Sequence, residues 1–408
     1  MKLKFLLLIA LFSSTISISQ NLKPVEDYML INAKATDPLY TTYAAPMSRS
    51  RLYGDKAYKM DYYSDCRPVT YTSDNAGSIY CIWKVDQVVI NKISEYLMKP
   101  VVHYSFPDMM IMEYEPFRGI HVKETFIVYS STIAIVDMEI KNTDRIPHDV
   151  AVYPILESGN DSIELMGFNN EHQGYVTQRY ESPYRLISSL KTEYGYPTHT
   201  RDFFSTNQKI QTYGAYHGSI PEFYNVIKTD YYAAGRSDSL NMKQSGYMNF
   251  ITLQLKKRLR PGETIDFRVI RGSQAQSENA EAMMKEIDGL KNTLLKPLYD
   301  DNLFLFLKIP KIKFQTNAEK LTYIGAFNLA RGSMYPASGK TKYNFYAFSR
   351  NPLWGWGHGH QVRHESLSMM AYPWMDPQSA QASQRVYREQ QDTNGFIAYR
   401  HGPRVKQD

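Results

Sequence analysis

The sequence predicts an all-β domain followed by an all-α domain, with a linker helix between them. From about residue 21 to 272, apolar and polar residues alternate with a period of two, which is typical of strands with one face on a core. From residue 277 onward, apolar residues recur at three- and four-residue spacing, which indicates amphipathic helices. A chain of 408 residues is long enough to fold as two such domains.

The first 20 residues have the three-part pattern of an export signal. Two lysines precede an apolar run from Phe5 to Phe12, and the small residues Ser17 and Ser19 suit cleavage near Gln20. The alternative is an N-terminal membrane anchor, but the run is shorter than the roughly 20 residues that span a bilayer. We expect residues 1–20 to be a signal peptide, the protein to be periplasmic or secreted, and no membrane span to follow cleavage.

Residues 21–272 are predicted to form a large antiparallel β-sandwich. Strict alternation is seen in residues 136–141 (VDMEIK) and 251–256 (ITLQLK). Residues 260–263 (RPGE) place Pro at position i+1 and Gly at i+2 of a type II turn, after which Ile265, Phe267 and Val269 resume the alternation. No helical pattern interrupts this half of the chain, which favours a sandwich.

The two cysteines, Cys66 and Cys81, flank a turn-rich loop within this domain. An oxidising compartment favours a disulfide across the hairpin, which would stabilise it by about 3 kcal/mol. The alternative is two unpaired buried thiols. Neither cysteine has a pattern typical of catalysis.

Residues 273–312 are predicted to be a linker region with one amphipathic helix of about five turns, from Ser277 to Leu295. Residues 313–408 are predicted to form the helical domain. Its first helix begins at Thr316, which forms a capping box with Glu319, and it ends at Gly332.

Two further helices are predicted in the helical domain. One runs from Glu365 to Tyr372, where Pro373 limits it. The other has Asp376 as N-cap and Pro377 at the first helical position, and continues to about Gln391. We expect Asn394-Gly395 to supply its left-handed C-cap.

Composition excludes some classes of partner. The formal charge of +6 comes from scattered lysines and arginines, without the clustered basic stripe that binds a phosphate backbone. We therefore expect no nucleic-acid partner. No pattern predicts a cofactor, and the sequence does not indicate an oligomeric state.

Residues 354–367 (WGWGHGHQVRHESL) concentrate tryptophan, histidine and glycine, and they allow two interpretations. His360 and His364 are one helical turn apart, which suits zinc, but no second set of ligands accompanies them. The other interpretation is a carbohydrate site, in which flat indole rings stack on sugars, polar side chains bind hydroxyls, and Glu365 is the acid. Glu365 could also be an ordinary residue of a helix N-terminus, where the macrodipole favours carboxylates.

Several motifs resemble the opening of the catalytic domain of six-hairpin glycosidases, with the closest likeness to glycoside hydrolase family 63 and trehalase-like enzymes. They are residues 343–350 (YNFYAFSR), Trp354-Gly-Trp356, Asp376-Pro377 and 395–403 (GFIAYRHGP). The resemblance implies an (α/α)6 barrel after the all-β domain, and an inverting hydrolysis of oligosaccharides or polysaccharides. Where the family has Asp directly after the second Trp, this chain has Gly357.

The resemblance therefore implies a site with one substitution. Glu365 would replace the family's acid, and the carbohydrate substrate would contact a set of residues that comprises Arg350, Trp354, Trp356, His360, Gln361, Tyr399 and Arg400. Asp376 is interpreted as a helix cap rather than a catalytic residue.

Length adds a further expectation. Only 408 − 318 = 90 residues follow the start of the first barrel helix, whereas twelve helices need well over about 200 residues. We therefore expect the first hairpins of an incomplete (α/α)6 toroid, as the N-terminal portion of a glycosidase without its catalytic base. The alternatives are a non-catalytic carbohydrate-binding protein and a polysaccharide lyase, although in lyases helices usually precede the sandwich.

Overall fold

The computed structural model describes residues 22–37, 42–43, 58–73, 77–130, 132–158, 163–180, 199–228, 250–337, 341–347, 360–401 and 406–407. The predicted signal peptide lies outside these ranges. A β-rich region of antiparallel sheets comes first and helices dominate the C-terminal part, as the sequence predicts. The sequence predicts no helix before residue 273, but helices at 22–29 and Ile220–Lys228 lie in this region. Within the described ranges, no helix is long and apolar enough to cross a membrane.

The elements are numbered in chain order. The strands are β1 (Thr42–Tyr43), β2 (Tyr58–Asp61), β3 (Thr70–Ser73), β4 (Gly77–Val85), β5 (Val88–Ile90), β6 (Met98–Ser105), β7 (Met109–Phe117), β8 (Ile120–Val128), β9 (Ile133–Asn142), β10 (His148–Glu157), β11 (Ile163–Asn169), β12 (Gly174–Tyr180), β13 (His199–Thr206), β14 (Thr212–Tyr216), β15 (Phe250–Leu259), β16 (Thr264–Ala275), β17 (Met334–Tyr335), β18 (Phe345–Tyr346), β19 (His360–Gln361), β20 (Arg400–His401) and β21 (Lys406–Gln407). The helices are α1 (22–29), α2 (Ile220–Lys228), α3 (Ala280–Leu290), α4 (Lys296–Phe306), α5 (Asn317–Gly332), α6 (Val362–Ser368) and α7 (Pro377–Glu389).

Two eight-stranded antiparallel sheets form the β region. The first sheet has the order β1-β2-β3-β4-β10-β15-β14, with β5 paired to β4, and the second has the order β11-β12-β13-β16-β9-β8-β7-β6. Their inner faces meet in one apolar core. Tyr71 of the first sheet stacks on Phe126 of the second with ring centroids 3.9 Å apart, and Trp83 meets Tyr114 edge-on at 6.2 Å.

Parts of the outer faces of both sheets are also apolar, and helices cover these parts. On the first sheet, Phe223 of α2 stacks on Phe250 with centroids 4.3 Å apart. On the second sheet, α3 lies against Gly272, where a Cβ atom would be only 2.9 Å from Ile287 Cδ1. The alternation of buried and exposed residues is therefore lost in the central strands, because both of their faces are covered.

The predicted type II turn is present between β15 and β16. Gly262 has a φ of 76°, which favours glycine, and the Glu263 N–H donates to the Arg260 carbonyl at 2.9 Å. The Glu263 carboxylate also accepts a hydrogen bond from the Arg260 N–H at 2.9 Å.

The single five-turn linker helix predicted from Ser277 to Leu295 is wrong, because the structure has two helices here. Helix α3 begins after Asn279, whose side chain caps it, and it ends at Leu290. Helix α4 begins at Lys296 with proline in its first turn. Proline cannot continue a helix from the preceding turn, and Leu294, which belongs to the predicted apolar face, is 76% exposed.

The first helix of the helical domain is confirmed by α5. The Thr316 side chain accepts a hydrogen bond from the Glu319 N–H at 3.2 Å, as in the predicted capping box. The Glu319 carboxylate accepts from the N–H of Gln315 at 2.8 Å, one residue before the cap.

The second predicted helix is shifted toward the N-terminus. Helix α6 covers Val362–Ser368, and a short 3-10 turn at Tyr372–Trp374 follows it. The N-terminus of α7 is confirmed, because Asp376 accepts from the Ser379 N–H at 3.0 Å. The predicted C-cap is wrong, because α7 already ends at Glu389. Gly395, with a φ of 89°, belongs to a separate turn, in which its N–H donates to the carbonyl of Asp392.

The predicted disulfide is not formed, since Cys66 and Cys81 are both free thiols in the structure. The strand register pairs Thr70 with Tyr80, so Cys66 lies in the turn before β3 and not opposite Cys81. The Cys66 Sγ lies 2.9 Å from Ser64 Oγ at the surface. Cys81 is buried in the sandwich, and burial raises the pKa of its thiol.

One buried carboxylate lies inside the sandwich core. Glu124 accepts hydrogen bonds from the hydroxyls of Tyr71 and Tyr114, the latter at 2.6 Å. Burial raises the pKa of this carboxyl, and its effect outweighs that of the two hydroxyls, which lower the pKa. Glu124 therefore holds its proton more tightly in the folded chain than in the unfolded chain.

This raised pKa predicts a pH-dependent stability. The contribution of Glu124 is fully present below the unfolded pKa of about 4.3 and is lost as pH rises through the folded pKa, by about 1.4 kcal/mol for each pH unit between the two values. We expect Glu124→Gln to flatten the decline of the free energy of unfolding above pH 4, measured by urea titration. Glu139→Gln, at an exposed position of β9, is the control and should leave the decline unchanged. An identical pH dependence in Glu124→Gln would contradict the assignment.

Candidate functional site

Two of the sequence motifs meet in a small sheet. Strand β19 pairs with β20, so that His360 lies opposite His401 and Gln361 opposite Arg400. The Val362 N–H donates to the carbonyl of Tyr399 at 3.2 Å. The backbone at the end of the GFIAYRH run is therefore adjacent to the start of α6, although Tyr399 follows Val362 by 399 − 362 = 37 positions in the sequence.

Helix α6 directs Glu365 into the protein. The residue lies in the first turn, where the macrodipole favours a carboxylate, but only 1% of its surface is exposed. Its Oε2 accepts a hydrogen bond from the side-chain amide of Gln384 on α7. Its Oε1 has no hydrogen-bond partner among the described residues and lies 3.8 Å from His360 Nε2.

His360 is fully buried beside this carboxylate. Its ring stacks on Tyr387 with centroids 4.1 Å apart. Its Nε2 lies 3.0 Å from the Oγ of Ser383, which also accepts the N–H of Tyr346 at 3.0 Å. Burial lowers the pKa of His360 more than Glu365 raises it. The imidazole is therefore neutral at pH 7, and its contact with Glu365 is not an ion pair at that pH.

Two phenols complete the surroundings. Burial raises the pKa of Tyr387, and the charges of Glu365 and then Tyr399 raise it further. Burial also raises the pKa of Tyr346, and the charge of Glu365 adds to that effect. Both phenols therefore keep their protons at neutral pH. We call His360, Gln361, Glu365, Ser383, Gln384 and Tyr387 the Glu365 cluster.

Several buried polar atoms of the Glu365 cluster have no hydrogen-bond partner among the described residues. Besides Glu365 Oε1, neither His360 Nδ1 nor Gln361 Oε1 has a hydrogen-bond partner in the part of the chain that the structure describes. An unpaired buried polar atom costs about 1–3 kcal/mol, and more when the group is charged. Such a cost is commonest where a side chain has a chemical role, because packing alone would favour apolar residues.

The structure shows where some of the predicted site residues lie. Glu365, His360 and Gln361 are brought together, and all three are buried. Tyr399 is 48% exposed, while Arg400 contributes its backbone to β20. Arg350, Trp354 and Trp356 lie outside the described residues.

Sequence reasoning missed the contribution of α7. Ser383, Gln384 and Tyr387 all project from it toward α6 and β19. The signal was available in part, because the buried face of this helix carries hydroxyls at Ser379, Ser383 and Tyr387, four residues apart. A helix with an apolar core face would not repeat hydroxyls at this spacing.

Asp376 has a structural environment, in contrast to Glu365. Besides capping α7, its Oδ2 accepts a hydrogen bond from the Nη1 of Arg331 at 2.6 Å and another from the Ser379 hydroxyl at 2.6 Å. Arg331 also donates to the Tyr372 hydroxyl at 3.0 Å. These contacts agree with the interpretation of Asp376 as a cap. In the described part of the chain, no group of three or more His, Cys, Asp and Glu residues could hold a metal ion.

Larger solved structures align with most of this chain. One, described as a kojibiose phosphorylase from the human microbiome, covers 89% of this chain and 47% of its own length, at 8% identity and a TM-score of 0.47. A family GH92 inverting mannosidase from Bacteroides thetaiotaomicron covers 92% and 49%, at 13% identity and 0.41. A family GH92 α-mannosidase from the same organism covers 94% and 52%, at 12% identity and 0.43.

This chain spans about half the length of each of these structures. The sequence matches no protein-family model and no curated protein.

The different environments of Glu365 and Asp376 predict opposite effects on stability. We expect Glu365→Met to leave the free energy of unfolding unchanged or to raise it by about 1 kcal/mol, because it removes a buried oxygen without a partner. Asp376→Ala should lower it by about 3 kcal/mol, since it removes a cap and leaves Arg331 buried without its partner. Urea denaturation followed by circular dichroism measures both. A loss of about 2 kcal/mol or more in Glu365→Met would show that this carboxylate is structural.

Proposed function

We propose that this chain is part of a secreted glycoside hydrolase in which Glu365 is the general acid. The observation that carries the proposal is the buried carboxyl group of Glu365, of which one oxygen is held by Gln384 and the other has no hydrogen-bond partner within the described ranges. A general acid needs a positioned carboxyl group with one oxygen available to hold and release a proton.

The Gln384 contact determines which oxygen that is. The amide nitrogen of Gln384 is a donor, so Oε2 must accept from it. The acidic proton then resides on Oε1, the other oxygen. After proton transfer, the same amide stabilises the carboxylate.

The other members of the cluster keep the carboxyl group available. Among the described residues, His360 is the only side chain within 4.0 Å of Glu365 that can carry a positive charge, and its lowered pKa keeps it neutral at pH 7. Gln384, which contacts Glu365, is itself exposed, and access of a ligand to Glu365 past this side chain is part of the proposal.

The finer parts of the proposal come from the sequence. The N-terminal pattern supports secretion, and the glycosidase motifs support an inverting reaction on oligosaccharides or polysaccharides. In that reaction, Glu365 protonates the glycosidic oxygen while a second carboxylate, about 6.5–9.5 Å away, activates water. We propose that α5, α6 and α7 are the first helices of an (α/α)6 toroid. The glycoside hydrolase activity of the whole protein is part of the same proposal.

A second candidate function is carbohydrate binding without catalysis. Exposed aromatic side chains favour it: Trp374, Phe396 and Tyr399 are 60%, 45% and 48% exposed in the C-terminal part. Exposed aromatic rings of this kind bind the C–H faces of sugars. Binding of oligosaccharides in calorimetry, without any turnover, would favour this function over the first.

The role of Glu365 as the acid can be tested by comparing cleavage rates of substrates with different leaving groups. The wild-type chain is incubated with kojibiose and α-mannobiose, and with the corresponding glycosyl fluorides, in the presence of sodium azide. Azide can take the place of the water that a base would activate: it forms a C–N bond to the anomeric carbon without losing a proton, while the C–O or C–F bond breaks. We expect Glu365→Gln to slow cleavage of the disaccharides by about 10²–10⁴-fold, because their alkoxide must be protonated. Cleavage of the fluorides should change little, because fluoride leaves without a proton.

The control is Glu286→Gln on the exposed side of α3, which should behave as wild type toward both substrate classes. Equal rates of disaccharide cleavage in wild type and Glu365→Gln would show that another residue is the acid. Equal losses on disaccharides and fluorides would indicate a role other than proton donation.

A further inference from the structure

A cavity of about 600 Å³ lies on the outer face of the second sheet. Strands β6, β7 and β8 form its floor, and α1 and the start of α4 form its walls. A volume between about 300 and 1,000 Å³ is typical of small-molecule sites. The cavity shares no residue with the Glu365 cluster, so it raises a separate question about ligand binding.

Two irregularities of the backbone meet at this cavity. The register of β6 against β7 shifts between Val102 and Tyr104, which makes His103 the extra residue of a β-bulge. The bulge brings His103 and Tyr104 to the same cavity, although successive side chains of a regular strand point to opposite faces.

The second irregularity is Asn32, whose φ of 49° lies in the left-handed region. Its Oδ1 lies 2.7 Å from His103 Nδ1 and fixes the imidazole. Bulges and left-handed non-glycine residues destabilise the backbone locally, and they are found most often at binding sites and active sites.

Polar side chains are held in place around the cavity. The Nε2 atoms of His103 and His121 lie 3.4 and 3.5 Å from the same Glu113 oxygen, on three adjacent strands. Across the cavity, Glu26 accepts a hydrogen bond from the Tyr299 hydroxyl at 2.7 Å. Each carboxylate is thus oriented by its neighbours and keeps acceptor capacity for a ligand.

The remaining surface is apolar, and the lining has no excess of positive charge. Met109 and Ile111 lie on the floor, and the ring of Tyr104 adds an aromatic surface. The lining holds two carboxylates and two lysines, and one of these, Lys296, is paired with Asp300 outside the lining at 2.6 Å, so the cavity has no excess of positive charge that would favour an anion. An apolar floor with oriented acceptors and a few donors suits a molecule with a C–H face and several hydroxyls.

We propose that this cavity binds a neutral polyhydroxylated ligand of the size of a mono- or disaccharide, with Glu113 and Glu26 accepting hydrogen bonds from its hydroxyls. This binding site does not depend on catalysis at Glu365. It would hold a sugar against the β-sandwich rather than at the helical part of the chain.

The test is calorimetric titration of the full chain with D-glucose, D-mannose and maltose, supported by ligand-observed NMR. We expect saturable binding of at least one sugar with a Kd of about 1 mM, as is common for small sites of this polarity. Glu113→Gln should weaken it about tenfold, because a hydrogen bond to a charged acceptor is lost. Thr125→Phe and Leu295→Trp fill the cavity from the floor and from the wall and should abolish it.

Two controls locate the binding. Glu115→Gln, on the same strand but outside the cavity, should bind as wild type, and so should Glu365→Gln. Thermal unfolding identifies any variant that does not fold. If one of the two filling variants does not fold, the other, at a separate position, still tests the cavity. The proposal is overturned if none of the sugars binds at about 50 mM, a concentration well above the expected Kd.

It is equally overturned if Glu113→Gln and a folded filling variant bind as wild type. Loss of binding in Glu365→Gln alone would assign the sugar to the Glu365 cluster instead. A failure of catalysis with intact, Glu113-dependent binding would leave this site standing and reject only the glycosidase proposal.

Discussion

The structure depends on two sheets whose inner faces, together with parts of their outer faces, are too apolar to meet water. The inner faces bury each other, through contacts such as Tyr71 on Phe126. The apolar part of each outer face requires its own cover, which α2 supplies on one sheet and α3 on the other. Because α3 and α4 follow the last strand directly, covering the second sheet also determines where the helical part begins. Asn328 of α5 then donates to the carbonyl of Ser105, which fixes that part to the end of β6.

Three buried or partly buried carboxylates differ in how fully their oxygens are paired. Glu124 receives two phenol hydroxyls, and Asp376 receives an arginine and a cap contact. Glu365 is equally buried, but one of its oxygens has no partner among the residues that the structure describes. Since burial without compensation is costly, the incomplete pairing of Glu365 is the physical reason for proposing Glu365, and not Glu124 or Asp376, as the general acid.

At the cavity on the second sheet, the unfavourable features belong to the backbone rather than to a carboxylate. A regular β6 would place His103 and Tyr104 on opposite faces, and a regular turn would not need Asn32 in the left-handed region. The fold bears both irregularities where α1 and α4 leave a space open on the sheet. Packing alone gives no reason for this, because a straight strand under a closed helix pair would be more stable.

The amino-acid sequence by itself determined the features that depend on near neighbours. Alternation specified strands such as β9, Pro-Gly specified the turn at Gly262, and short polar side chains specified the starts of α5 and α7. Each is decided within about four residues, so a local pattern is sufficient. The same local reading failed where proline inside an apolar pattern divided the linker into α3 and α4.

Only the tertiary structure decided the features that join distant parts of the chain. The register of β3 against β4 separates the two cysteines, and the packing of α7 on α6 turns Glu365 inward beneath Gln384. The cavity joins Glu26 to Tyr299 across 273 positions. No periodicity encodes such pairs, because the energy that fixes them comes from the closure of the two sheets and the helices that cover them.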